Sequence, residues 1–292
     1  MTVTRPLRRI RIALLVCGPL PREEVHGDYF ALYYDLLAKS LPSTRADPNV
    51  KSQDVFELIP YDVFNAQVYP PDDEHFDALL ISGSASSAYE DSPWITRLVE
   101  YVRRVERERT EMKIIGICFG HQIVGCAVGA GCVRNTEWEL GVYEVDLTDL
   151  GKKIFGKDVL NIQEVHRDHV PSIPTSQGFY SLGSSPLTLN QGMVKFSTPT
   201  TAPELASPSA LLTNIRVLTL QGHPEFTAAL VCTVADVREE AGVFGAGAAG
   251  TDSAESRAKK NASVAQEGRE RAVREHDGLW IGRVVWDILG VA

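Results

Sequence analysis

The ten residues Lys113-Ile114-Ile115-Gly116-Ile117-Cys118-Phe119-Gly120-His121-Gln122 decide the fold. An apolar run with β-branched residues enters Gly-x-Cys-x-Gly and passes at once into a helix-forming stretch. This is the layout of a nucleophile elbow, with Cys where hydrolases of that kind carry Ser. The glycines matter sterically, because a nucleophile presented on a sharp strand-to-helix turn leaves no room for side chains on the residues that flank it. The helix N-terminus behind Cys118 would stabilise a thiolate. Most free cysteines behave instead as small buried hydrophobes, and that reading suits Cys17, Cys126, Cys132 and Cys232.

Upstream of this turn, short apolar runs alternate with amphipathic ones. Ile10–Cys17, Val55–Leu58, Ala78–Ile81 and Lys113–Ile117 read as strands. His26–Leu41, Pro93–Glu106 and His121–Val128 read as helices, the second with Ser92 as N-cap and Pro93 at its first position. Strands alternating with helices predict a parallel sheet covered on both faces, with its active edge at the carboxyl ends of the strands. After Gly131 the pattern turns β-rich, with strands expected at Gly141–Leu147, Leu160–Val165, Met193–Phe196 and Arg216–Leu220. Thr198–Ser209, with three prolines, reads as a surface loop.

The last of these strands ends in Gln221-Gly222-His223-Pro224-Glu225-Phe226. Residues two apart in extended chain point the same way, and Pro224 keeps His223 extended, so His223 and Glu225 share a face. A cysteine nucleophile needs an imidazole beside it, and the imidazole needs a third group to hold its tautomer. Ser82-Gly83-Ser84, at the end of another strand, offers a backbone N–H free of side-chain crowding. Together with the Phe119 N–H it would form an oxyanion hole.

Composition narrows the class. The chain has 292 residues, 44% hydrophobic and 23% charged, as in ordinary globular proteins. Its 29 Lys+Arg against 38 Asp+Glu argue against a dedicated nucleic-acid partner. No apolar run approaches the roughly 18–20 residues of a membrane span. Five irregularly spaced cysteines form no disulfide framework and contain no CxxC pair, so neither a secreted scaffold nor a zinc ribbon is expected. Arg5, Arg8, Arg9 and Arg11 precede an apolar run too short for a signal-peptide core, which favours a first strand and a cytoplasmic location. Gly245–Gly250 matches GxGxxG but follows no strand, so no dinucleotide site is expected. His166-Arg167-Asp168 lacks the Asn that a kinase catalytic loop requires at position 173. His166 and His169 have no Cys/His partners at metal-ligand spacing.

These segments, in this order, resemble the class I (triad-type) glutamine amidotransferases, in particular stand-alone relatives of the GMP synthase amidotransferase domain, γ-glutamyl peptidases among them. The resemblance covers about residues 10 to 230 and includes Glu164–Asp168. It implies a flavodoxin-like three-layer α/β/α fold with a mostly parallel central sheet, and hydrolysis of a γ-glutamyl amide through a thioester. Cys118 would be nucleophile, His223 base and Glu225 its orienting carboxylate. Gly83 and Phe119 would form the oxyanion hole. Gln122, Trp138, Glu139 and Asp168 would surround the small-molecule substrate, glutamine or a γ-glutamyl compound. No metal or organic cofactor is implied. A catalytic domain over 8–235 is expected, then a low-complexity insertion, mobile or weakly helical, over 236–277 and a C-terminal helix within 278–292. With no P-loop in the sequence, any synthase receiving ammonia would be a separate polypeptide. A catalytically idle regulator on the same fold is the alternative from another class, and the intact triad speaks against it.

Overall fold

A computed structural model describes residues 9–42, 52–198, 207–245 and 253–291. Its first half alternates as expected: β1 (Ile10–Val16), α1 (Glu23–His26), α2 (Tyr29–Lys39), α3 (Ser52–Val55), β2 (Phe56–Asp62), β3 (Ala78–Ile81), α4 (Pro93–Glu108), β4 (Lys113–Ile117) and α5 (Phe119–Ala127). Next come β5 (Val133–Leu147), α6 (Asp149–Phe155), β6 (Val159–His169), β7 (Phe179–Ser184), β8 (Gly192–Phe196), α7 (Pro208–Thr213) and β9 (Ile215–Leu220). Three helices close the described chain: α8 (Ala228–Glu240), α9 (Ala254–Ala272) and α10 (Gly278–Ile288). None of these helices is long and apolar enough to cross a membrane.

One nine-stranded sheet runs in the order β2-β1-β3-β4-β9-β8-β7-β5-β6. The first five strands are mutually parallel, and β8, β7, β5 and β6 continue the sheet with antiparallel pairing. The parallel half is the expected core. The antiparallel half is the physical form of the β-rich composition after Gly131. Within β1 the side chains split by parity: Ile10, Ile12 and Leu14 join one hydrophobic cluster, Ala13 and Leu15 the other. The first cluster takes in Leu36 of α2, Leu230 of α8 and Trp286 of α10, the second Leu98 of α4 and Ile123 of α5. Helices therefore cover both faces, giving three layers.

Several expectations are corrected. Strand β7 and helices α1, α3, α6, α7 and α8 were not anticipated, and Val55, read as the start of a strand, ends α3. Ser92 is the N-cap of α4 and Pro93 its first residue, as expected, although the Ser92 side chain makes no capping hydrogen bond. The boundary expected at 235/236 falls inside α8. The charged stretch, expected to be mobile or weakly helical, contains α9, a 19-residue helix that buries Asn261, Ala265, Gly268 and Ala272. Asn261 has the sequence form of a glycosylation acceptor, yet it is buried: its amide donates to Glu239 O at 2.7 Å and accepts from the Phe244 N–H. Residues 246–250 of the GxGxxG match and 199–206 of the proline-rich loop lie outside the described residues.

Candidate active site

Strand register assembles the site. Ile81 of β3 pairs with Gly116 of β4, and Gly116 pairs with Thr219 of β9. Gly83 and Cys118 each stand two residues beyond this row and His223 four beyond it, so three parallel strands deliver all three to one rim of the sheet. The elbow is tight where the sequence said it must be. A side chain on Gly116 would meet Gly120 O at 2.7 Å, and one on Gly120 would run into the carbonyl of Ile81. Cys118 carries the strain of the turn, with φ 52° and ψ −104°, a conformation non-glycine residues hold only when their surroundings impose it. Its N–H is fixed to Leu220 O at 2.8 Å, and its carbonyl accepts the first helical bond of α5, from Gln122 N.

The imidazole of His223 is clamped on three sides. Nδ1 lies 2.8 Å from Glu225 Oε1, the backbone N–H donates to Gln163 O at 2.7 Å, and the ring stacks on Phe226 at a centroid distance of 3.8 Å. The ring's other side engages the Cys118 side chain. Burial alone would discourage a charge there. The Glu225 carboxylate and Cys118 outweigh it and raise the imidazole's pKa to about 10. Tyr33 is buried beneath, and its hydroxyl is held well above the ordinary phenol range by burial and by the charge of Glu225. Gly83 stands close against this assembly: a side chain there would meet His223 Cε1 at 2.7 Å and Tyr29 Oη at 2.8 Å. Its N–H donates to no acceptor among the described residues. Phe119 is the first residue of α5, where an N–H has no carbonyl acceptor in its own helix.

Cys118 opens into a cleft of about 430 Å³ whose walls include Ser87, Gln122, Arg134, Trp138, Asp168 and Arg238. Gln122 donates from Nε2 to Asp168 O at 2.9 Å and to Gln221 Oε1 at 3.3 Å. The Asp168 carboxylate accepts from Ser87 Oγ at 2.5 Å and lies 3.9 Å from Arg134. Trp138 carries the guanidinium groups of Arg238 and Arg167 over its ring, at 4.9 Å and 5.6 Å. Glu139 does not join them. It is buried behind the wall, accepting from Ser185 Oγ, Thr188 Oγ1 and Gln191 Nε2 and facing His166 Nε2 at 3.0 Å. The two side chains part at the irregularity of β5, where the pairing with β6 shifts register between Arg134 and Glu139.

His166 itself borders the cleft and also faces Glu164, at 3.1 Å. Burial opposes its charge, but the two carboxylates prevail and hold its pKa well above the usual histidine range. Burial lifts Glu164 to about 7, against the pull of His166. Glu139 sits below the ordinary carboxylate range, because His166, Ser185 and Thr188 more than offset its burial. Among the described residues no group of three or more His, Cys, Asp or Glu side chains is arranged to hold a metal.

Two wall residues escaped the sequence reading. Arg134 sits in an irregular stretch of β5, and Arg238 in a segment read as the start of an insertion. The one available signal for Arg238 was its position in a run, Ala228–Glu240, with helical periodicity.

Comparison with known proteins places this architecture. The family profile described as Glutamine amidotransferase class-I matches residues 50–230. A glutamine amidotransferase-like protein of Schizosaccharomyces pombe is 34% identical over 224 residues, covering 75% of this chain and 79% of that protein. Gamma-glutamyl peptidase 3 of Arabidopsis thaliana is 22% identical over 245 residues, 81% of this chain and 84% of its own length. The crystal structure of a glutamine amidotransferase from Thermotoga maritima superposes with a TM-score of 0.61 over 97% of this chain and 99% of that one, at 16% identity, which is a likeness of fold. The chain belongs to the class I glutamine amidotransferase family.

Proposed function

We propose that the protein is a cysteine-dependent hydrolase of γ-glutamyl amide bonds. The observation that carries the proposal is the convergence of the Cys118 side chain, the His223–Glu225 pair and the Gly83 and Phe119 amides at one rim of the parallel sheet, facing a cleft. The relatedness to proteins named glutamine amidotransferase-like and gamma-glutamyl peptidase supports the choice of bond.

The steps follow from the geometry. His223 takes the proton from the Cys118 thiol and holds it as imidazolium. The sulfur attacks the γ-carbonyl carbon. A C–S bond forms, and the carbonyl's π pair moves to oxygen under the Gly83 and Phe119 amides. The tetrahedral species collapses as His223 gives its proton to the amide nitrogen. The C–N bond breaks, and the amine leaves a γ-glutamyl thioester on Cys118. Neutral His223 then takes a proton from water, and the hydroxide attacks the thioester. Glutamate departs, and the sulfur and imidazolium are restored. Glu225 on Nδ1 keeps Nε2 directed at the reacting atoms in both halves. Gln122, Asp168 and the Trp138 face line the part of the cleft that receives the substrate's amino-acid end. Each donor of such an oxyanion hole supplies on the order of 10²–10³ in rate, and the general acid–base roughly 10²–10⁴.

The test is glutamate release by the purified chain alone from glutamine, glutathione and other γ-glutamyl amides. Release without a partner is the expected result. Release only on adding a synthase would instead make the chain an ammonia-delivering subunit. No release from any of them, with Cys118 unmodified by a glutamine-like electrophile, would sink the proposal.

A further inference from the structure

The cleft has a second room. Beyond Ser84, Ala85, Val165 and Arg238, which line both, lies a chamber of about 300 Å³ walled by Leu20, Pro21, Phe226, Val234 and Val237, with His223 on its border. Chemistry fixes which half of a substrate would enter it. The attacking sulfur lies in the cleft and the oxyanion donors are Gly83 and Phe119. The departing nitrogen must lie against His223, which protonates it. His223 belongs to the chamber's lining and not to the cleft's.

An ammonia molecule, about the size of the roughly 30 Å³ that a water takes in liquid, would use a tenth of this space, and apart from Ser84, Tyr29, His223 and Arg238 the walls are apolar. An amine with a bulky apolar body would fill the space and be desolvated by it. Arg238 adds a second requirement. It projects from α8 with its guanidinium over Trp138, and its Nη1 is buried with no hydrogen-bond partner among the described residues. A buried, unsatisfied guanidinium N–H is costly. Among the described residues that line the chamber, Arg238 is the permanent cation. Arg134 and Arg167, in contrast, border the cleft but not the chamber.

Building on the γ-glutamyl hydrolase reading, we propose that the chamber binds the leaving amine and that Arg238 pairs with a carboxylate on it. The preferred substrate class is then a γ-glutamyl amide of an apolar amino acid or of a short peptide beginning with one. Glutamine, whose leaving group is ammonia, is the poorer substrate.

The full chain is assayed for glutamate release from γ-glutamyl-leucine, from the γ-glutamyl amide of 3-methylbutylamine (the same apolar body without the carboxylate) and from glutamine. Expected is a kcat/KM for γ-glutamyl-leucine about 10- to 100-fold above that for glutamine, the scale on which one buried aliphatic side chain discriminates. Val237→Trp, which fills a half-buried edge of the chamber, should shrink that ratio at least tenfold. Arg238→Gln should lower the ratio of γ-glutamyl-leucine to its decarboxylated analogue by about 10- to 100-fold. If Arg238 instead held the glutamyl α-carboxylate, both substrates would fall together and that ratio would stay put, overturning its assignment. Glutamine turned over as efficiently as γ-glutamyl-leucine by the wild-type chain would overturn the chamber's role while leaving the hydrolase reading intact. No turnover of any of the three would overturn both.

Discussion

At the scale of single residues, the site rests on how His223 is charged. Its imidazole lies 2.8 Å from Glu225 and engages Cys118, and these neighbours override burial to raise its pKa to about 10. Since the folded value exceeds the ordinary 6.5 of an unfolded chain, the imidazolium's contribution to stability is full below about pH 6.5. It fades as pH rises through about 10. Activity that needs this imidazolium should decline on the same alkaline side. Glu225→Gln removes the largest single raising influence and the group that fixes the tautomer. Two effects are expected in a pH–rate profile: a fall of about 10²–10⁴ in kcat/KM, and an alkaline limb displaced to lower pH. A Glu225→Gln enzyme with a slower rate but an unmoved limb would show that Glu225 packs the ring without setting its charge. Much of this was legible in the chain. Gly116, Cys118, Gly120, His223, Pro224 and Glu225 are chosen by local sterics and hydrogen bonding, which operate within a few residues. Glu139 was misplaced because the register shift that parts it from Trp138 is a property of the folded β5.

At the scale of elements, the strands around the elbow could be read to within a few residues, since their apolar runs are short, β-branched and bounded by Gly or Asp. Helix α9 registered only as a mobile or weakly helical stretch, and the reason is its face. Asn261, Ala265, Gly268 and Ala272 recur at helical spacing but are small, so hydrophobicity barely registers them against the charged remainder. Their smallness is what lets the helix lie close to β5. A side chain on Gly268 would run into Leu140, and one on Gly141, whose φ is +90°, would meet Gly268 O at 2.6 Å. Arg269 then ties α9 to α8 through Asp236 at 2.9 Å and Glu239 at 2.8 Å. Gly268→Val should therefore cost about 1–3 kcal/mol by overpacking, visible as a lower midpoint in urea or thermal unfolding. An unchanged midpoint would mean that α9 is not held against β5 in solution.

At the scale of the whole molecule, the sheet divides its labour. The parallel half brings Gly83, Cys118 and His223 to one rim. The antiparallel half supplies Arg134, Trp138, His166 and Asp168 as the cleft's far wall. Helix α8, which runs from Ala228 past the end of the matched family region at residue 230, closes the third side with Arg238. That long-range division is where sequence reading thinned out. A wall built from residues a hundred positions apart leaves no local signature, whereas the elbow is written in five consecutive residues. The account stands on Cys118 as the atom that takes the γ-glutamyl group. Its most direct test is the rate of glutamate release by Cys118→Ala beside wild type on the same γ-glutamyl substrate, with both proteins checked for equal thermal unfolding. The account predicts a folded variant whose rate is lower on the order of 10⁴-fold or more. A folded Cys118→Ala protein that still releases glutamate at a rate near wild type would contradict it.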